Sequence, residues 1–313
     1  MKTMEKNKLQ TMALAFLAIM LIATFAFADR TSAQQAFQTV RIRADGTIDP
    51  ASTPIQKVGD KYVFTGDIYA AIVVERANII IDGAGYSLYG PYNGTKVDDW
   101  MIGQGPYNGP SNASLWTIGI DFDAVTKPNN VTVRNLNIRN FYFGIYVGTF
   151  NDTVEDNSIT ANIVGILLSG DSNTITRNYI AKNDEGVFYG VNNPNRAPIN
   201  TVLTGNSFTN NTVQFSGCGC GVYNETEPIH TWDNGERGNF WSDYNGTDTN
   251  GNGLGDTSYI IDIKNQDRYP LMQNTLSLPT PAPKLPVEAI SVASLFVVAA
   301  VLAFFFQKKK NKP

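Results

Sequence analysis

The sequence predicts an all-β fold, a parallel β-helix in which short strands stack coil upon coil, and three observations carry that prediction. First, a motif returns about every 21 residues: Asn, any residue, a large apolar residue, a second Asn three positions on, and Gly-Ile or Gly-Val three after that. Its clearest copies run from Asn157 to Ile166 and from Asn178 to Val187. Second, apolar residues alternate in short runs, as in Val131 and Val133 or Ile145 and Val147, which is the two-residue period of a strand. Third, the period leaves no room for a long helix, and only 17% of the 313 residues are charged, so buried strand faces rather than ion pairs must hold the chain together.

The chain opens with Lys2, Lys6 and Lys8 ahead of an apolar run from Met12 to Ala28, and Ala26-Phe27-Ala28 puts small residues where a signal peptidase reads. Residues 1–28 are therefore expected to be a signal peptide cut after Ala28. A cut after Ala33 and an uncleaved anchor are the alternatives. Residues 29–60 read as a lead-in or cap and 61–230 as the β-helix. Near its start, Asp82-Gly83 reads as a turn between strands, which makes Asp82 structural rather than catalytic.

The coils align position by position. Taking Ile138, Ile159, Ile180 and Phe208 as anchors, the residue five earlier is Val133, Val154, Ile175 or Leu203, and seven later comes Ile145, Ile166, Val187 or Phe215. Two before the anchor stand Asn157, Asn178 and Asn206, with Leu136 in the first coil. At a coil spacing of about 4.8 Å these amides are expected to bond one above another as an Asn ladder. Two stretches break the period: Tyr92 to Leu115, which carries Trp100 and Tyr107, and Gly190 to Ile199. A leucine-rich repeat shares the period but needs leucine at most core positions and a helical return, whereas Ser169 to Asn173 has little helical character.

With these coils in place, the chain resembles the right-handed parallel β-helix proteins built from pectate-lyase-like (PbH1) repeats, specifically the NosD-like surface proteins of archaeal type. Ile79 to Gly85 resembles the opening coil of that family, and the resemblance covers most of the exported part of the chain. Its most specific stretch is Thr231 to Gly235, Gly238 to Tyr244 and Asp248 to Leu271, which resembles the C-terminal module of such proteins. Residues 231–272 are thus read as a cap. The resemblance also implies a link to copper, for which Cys218, Cys220 and the chain's single histidine, His230, are the candidate ligands. An exported copper handler is expected to carry more His or Met, so copper is disfavoured, with a disulfide or two small buried residues as the plainer readings of the cysteines.

Within the cap, Asp248, Asn250, Asn252 and Asp256 place oxygen side chains at positions 1, 3, 5 and 9 of a loop with Gly253 at 6 and the Leu254 carbonyl at 7. That spacing turns oxygens inward onto a hard cation, so Ca²⁺ is expected, with modest affinity because Tyr259 stands where an EF-hand has its bidentate Glu. An Asx-turn linker without metal is the alternative.

At the C-terminal end, Pro279, Pro281, Pro283 and Pro286 stiffen a linker over 273–288, and residues 289–306 are uncharged and just long enough to span a bilayer as a transmembrane helix. Lys308, Lys309, Lys310 and Lys312 in the 307–313 tail mark the cytoplasmic side. The expected topology is a single-pass membrane protein with the solenoid outside the cell. Sequons at Asn93, Asn112, Asn130, Asn151, Asn210, Asn224 and Asn245 are then open to glycosylation. A net charge of -4 leaves no basic footprint for nucleic acid.

For function, exposed aromatics on a long loop of a rigid solenoid suit a sugar, so Trp100 and Tyr107 are the expected glycan contacts, with covering of the core as their alternative. The rival is a polysaccharide lyase or hydrolase. Stacking brings Glu155 and Asp156 within reach of Arg134 and Arg177, the weak catalytic candidates, but no column offers the neighbouring carboxylates that such an enzyme needs. A glycan-binding or structural surface protein is therefore expected.

Overall fold

The computed structural model describes residues 37–92, 117–122, 126–190, 200–217 and 229–276. The expected signal peptide, the apolar segment 289–306, Trp100, Tyr107, Cys218 and Cys220 lie outside them. Among the described residues no helix is long and apolar enough to cross a membrane.

The described chain is all-β, and its coils stack in parallel as the repeat requires. In each regular coil three strands follow one another, as in Val131–Arg134, Asn137–Arg139 and Phe143–Val147. Each strand pairs in parallel with its counterpart in the next coil, 21 residues on for Val133 with Val154, Ile138 with Ile159 and Ile145 with Ile166, and 28 on for Ile180 with Phe208. The anchors Ile138, Ile159, Ile180 and Phe208 form one column through the stack, and all are fully buried. The parallel stacking begins ahead of residue 61, because Gln38–Ile42 already pairs in parallel with Ile68–Val74.

The corners explain the Asn and Gly of the motif. Each regular coil turns at three residues of positive φ, such as Asn151 (59°), Asp156 (55°) and Ala161 (55°), so a single left-handed residue bends the chain from one strand to the next. The residue after each corner points inward, and these residues stack as three polar ladders. One joins Asp152 to Asn173, a second joins Asn157, Asn178 and Asn206, and a third joins Asn162, Asn183 and Asn211. Nδ2 of Asn157 donates to Oδ1 of Asn178 at 3.0 Å, and Nδ2 of Asn178 to Asn206 at 3.1 Å. Each ladder starts where an apolar residue follows the corner: the backbone N–H groups of Val131, Leu136 and Phe141 donate to Asp152, Asn157 and Asn162. The motif glycine has a different cause. A Cβ on Gly165 would lie 2.5 Å from the Gly186 carbonyl oxygen of the next coil, and one on Gly186 equally close to that of Gln214.

The C-terminal module continues the coil before it closes it. Phe240–Trp241 pairs in parallel with Ser207 and Phe208, so Asn239 falls on the ladder position and accepts from Asn206. Trp241 stacks on Phe208 at 4.3 Å, and Tyr259 stacks on the other side of Trp241 at 4.2 Å. The ladder ends on Asp267, fully buried, which accepts from Asn239 N–H at 2.7 Å and Trp241 Nε1–H at 2.9 Å.

Candidate functional site

The charged candidates form a column of alternating sign on the face that runs through Asp82, Arg134 and Glu155, whose backbones pair in register. Lys61 reaches Asp82 at 2.8 Å and Arg134 reaches it at 3.0 Å. Arg134 stands 4.0 Å from Glu155, and Arg177 closes on Glu155 at 2.7 Å and Asp156 at 2.8 Å. Stacking thus brings together all four residues that sequence alone singled out. It does so with each carboxylate on a guanidinium, which holds Arg177 protonated far above neutrality, first through Asp156. Burial raises the Asp82 carboxyl, but Lys61, the Ala84 N–H, Asn135 and Arg134 outweigh it and leave it below the ordinary range. Each carboxylate of the column is thus engaged by a cationic side chain.

Beside this column a groove of about 290 Å³ opens, lined by Asn135, Asp156, Asn157, Arg177, Tyr179, Thr275 and Leu276. Asn135, Asp156 and Arg177 are successive left-handed corner residues of three stacked coils, which is why their side chains share one wall. The opposite wall is Thr275 and Leu276, which follow the cap. Sequence reasoning missed this groove, because nothing in the repeat says where a non-repeating tail returns.

A second surface lies on the long sheet, on the side away from the Ile145 and Ile166 column. Tyr142, Phe143, Tyr146, Ile163, Val164, Leu167 and Phe188 form a buried apolar cluster there, and Tyr92 and Ile118, on either side of the 93–116 insertion, pack against it. Glu185 is buried beside it, bonded by the Ser216 hydroxyl, and burial raises its carboxyl above the usual range. Burial likewise pushes the Tyr142 phenol up to about 12.

The loop at Asp248 is organised by its own side chains. Asp248 accepts from the N–H groups of Asn252 (3.1 Å) and Gly253 (2.8 Å), Asn250 from Asn252, and Asn252 from Leu254. Asp256 accepts from the Thr249 N–H and hydroxyl, which lower its carboxyl. Asp262 and Asp267, the acids that follow the loop, are engaged elsewhere: Asp267 caps the ladder, and Asp262 accepts from the N–H groups of Lys264 and Asn265. Tyr259, at the twelfth position, is taken up by the stack on Trp241. Of the sequons inside the described residues, Asn130, Asn151, Asn210 and Asn245 are exposed.

His230 is buried between Tyr189, Phe215 and Trp232, and neither ring nitrogen has a hydrogen-bond partner among the described residues. Burial lowers its pKa to about 4, against a weak opposing pull from Asp262. Residues 113–246 match a family model described as "Periplasmic copper-binding protein (NosD)". No curated protein matches the chain. A neutral imidazole offers a metal one lone-pair nitrogen, and among the described residues no three His, Cys, Asp or Glu side chains come together to complete a donor set. Cys218 and Cys220, the other two candidate ligands, lie outside the described residues.

Proposed function

We propose that this NosD-like parallel β-helix works outside the cytoplasm as a membrane-tethered scaffold that binds glycan rather than cleaving it. The observation that carries the reading is the state of Glu155 and Asp156: both are held by Arg177 at hydrogen-bond distance, so the charged face is a fixed array of donors and acceptors. Such an array recognises hydroxyls, and it lacks the free acid and base that hydrolysis needs. The family match, whose description is periplasmic, agrees with the N-terminal apolar run as an export signal.

The tether follows from chain length. Twelve residues separate Leu276 from Ala289, and in a proline-rich, extended form they reach at most about 40 Å at roughly 3.1 Å each. Thr275 and Leu276 share a groove with Asn135, so in this reading that span sets how far this flank stands from the bilayer.

A glycan array run with a reducing-end assay on the same polysaccharides tests the function. Bound sugar without new chain ends is the expected result, and turnover would reassign the protein as an enzyme. A copper-related role is the second reading, supported by the family match and the unpartnered nitrogens of His230. It predicts stoichiometric copper in the purified full chain that is lost in His230→Ala.

A further inference from the structure

We infer that the groove between the corner residues and the returning tail is a subsite for a neutral hexose unit, an inference that rests on the glycan-binding reading. The groove, at about 290 Å³, is at the small end of ligand pockets and suits one sugar residue rather than a segment of chain.

Its walls supply the three things a sugar ring requires. Arg177 and Asp156 lie side by side as donor and acceptor, locked together at 2.8 Å, and so match a pair of adjacent hydroxyls with little ordering left to do. Asn135, whose Nδ2 is spent on Asp82 at 3.2 Å, keeps its amide oxygen for a third hydroxyl. Tyr179, half-buried one strand position beyond the ladder, supplies the aromatic surface against which the apolar face of a ring packs. Thr275 and Leu276 close the far side, so the tail limits how much of a longer chain enters.

Charge selects the class of sugar. The lining holds one acid and one base, Asp156 and Arg177, bonded to each other, so the wall offers no spare cation. A uronate or sulfated sugar would bring an anion that finds no unpaired cation there, whereas a neutral hexose meets no such penalty.

The test is calorimetric titration of the detergent-solubilised full chain with neutral hexo-oligosaccharides and with oligogalacturonides. Neutral oligosaccharides should bind, Tyr179→Ala should weaken binding at least tenfold, and Tyr179→Phe should retain it, which separates loss of the ring from loss of the fold. Leu276→Asp, on the tail and outside the coils, should weaken binding with the melting temperature unchanged. If Tyr179→Ala and Arg177→Met both bind as the parent does, the sugar sits elsewhere and the groove assignment falls while glycan binding stands. Tighter binding of oligogalacturonides overturns the neutral class. Binding of no saccharide at all overturns both this inference and the function on which it rests.

Discussion

The regular coils from Val131 to Phe215 and the module from Thr231 to Leu271 share one ladder of amides, yet they use it in opposite ways. In the coils each Asn passes a hydrogen bond to the next through a side chain that both donates and accepts, so any coil is a template for another. The module stops the series with a group that only accepts. Asp267 takes donors from Asn239, Trp241 and Tyr269 and has none to pass on, and the Tyr259 ring covers Trp241 where a further anchor would stack. Repetition supplies partners without limit, and a solenoid needs a chemically different residue to end it.

The largest effect is expected at that end. Trp241→Ala removes a fully buried ring, its stacking on Phe208 and Tyr259, and one of the donors on Asp267, and should cost about 3–5 kcal/mol in denaturant unfolding. Inside the coils, Asn178→Ala leaves the N–H and Nδ2 of Asn157 and the Oδ1 of Asn206 short of a partner. Its cost should be roughly 3 kcal/mol, from buried groups at about 1–3 kcal/mol each with partial relief from repacking. If the ladder variant proves the more damaging, termination matters less than continuity.

The same contrast decides what could be read from sequence. The anchor columns and the second ladder were legible at Asn157, Asn178 and Asn206 because identical residues recur at a fixed spacing and stacking makes recurrence a contact. The continuation to Asn239 was hidden by the 33-residue step from Asn206, although Asn239-Phe240-Trp241 repeats the Asn, any residue, large apolar signature. The ladder that begins at Asp152 was hidden because its rungs change identity, Asp in one coil and Asn in the next. Asp267 and the far wall of the groove, Thr275 and Leu276, rest on segments with no repeat at all, so only tertiary structure places them.

Acid should act on the two regions with opposite sign. In the coils, burial raises the Asp152 carboxyl to about 6, against the Thr149 hydroxyl and the Val131 N–H. A raised folded pKa stabilises the protonated fold, so this contribution is full below about pH 4 and is lost as pH rises through 6, about 2–3 kcal/mol in all. At the junction with the module, His230 titrates near 4 instead of 6.5, so its contribution is full above pH 6.5 and is lost as pH falls toward 4. Melting curves between pH 4 and 7 should therefore show a steeper acid loss in Asp152→Asn and an acid gain in His230→Phe. Parallel profiles in the two variants would place neither group where its burial implies.

The smallest effect belongs to the Asp248 loop, where the module departs furthest from the coils. Its turn is held by Asp248, Asn250 and Asn252 accepting backbone N–H groups, so the loop stands without a cation. Those same bonds aim the side-chain oxygens into the turn, and Ca²⁺ bound there would find amides in place of two carboxylates and no bidentate acid at the twelfth position. Affinity is then expected in the range of extracellular modules, a Kd of about 10⁻⁴–10⁻³ M, and 10 mM Ca²⁺ should add only about 1.4–2.7 kcal/mol of stability. Asp248→Asn should abolish that increment while leaving the melting temperature in chelator nearly unchanged, because an Asn oxygen still accepts the Gly253 N–H. A melting temperature equal with and without Ca²⁺ would make the loop a set of Asx turns, and the module would then differ from the coils only in how it stops them.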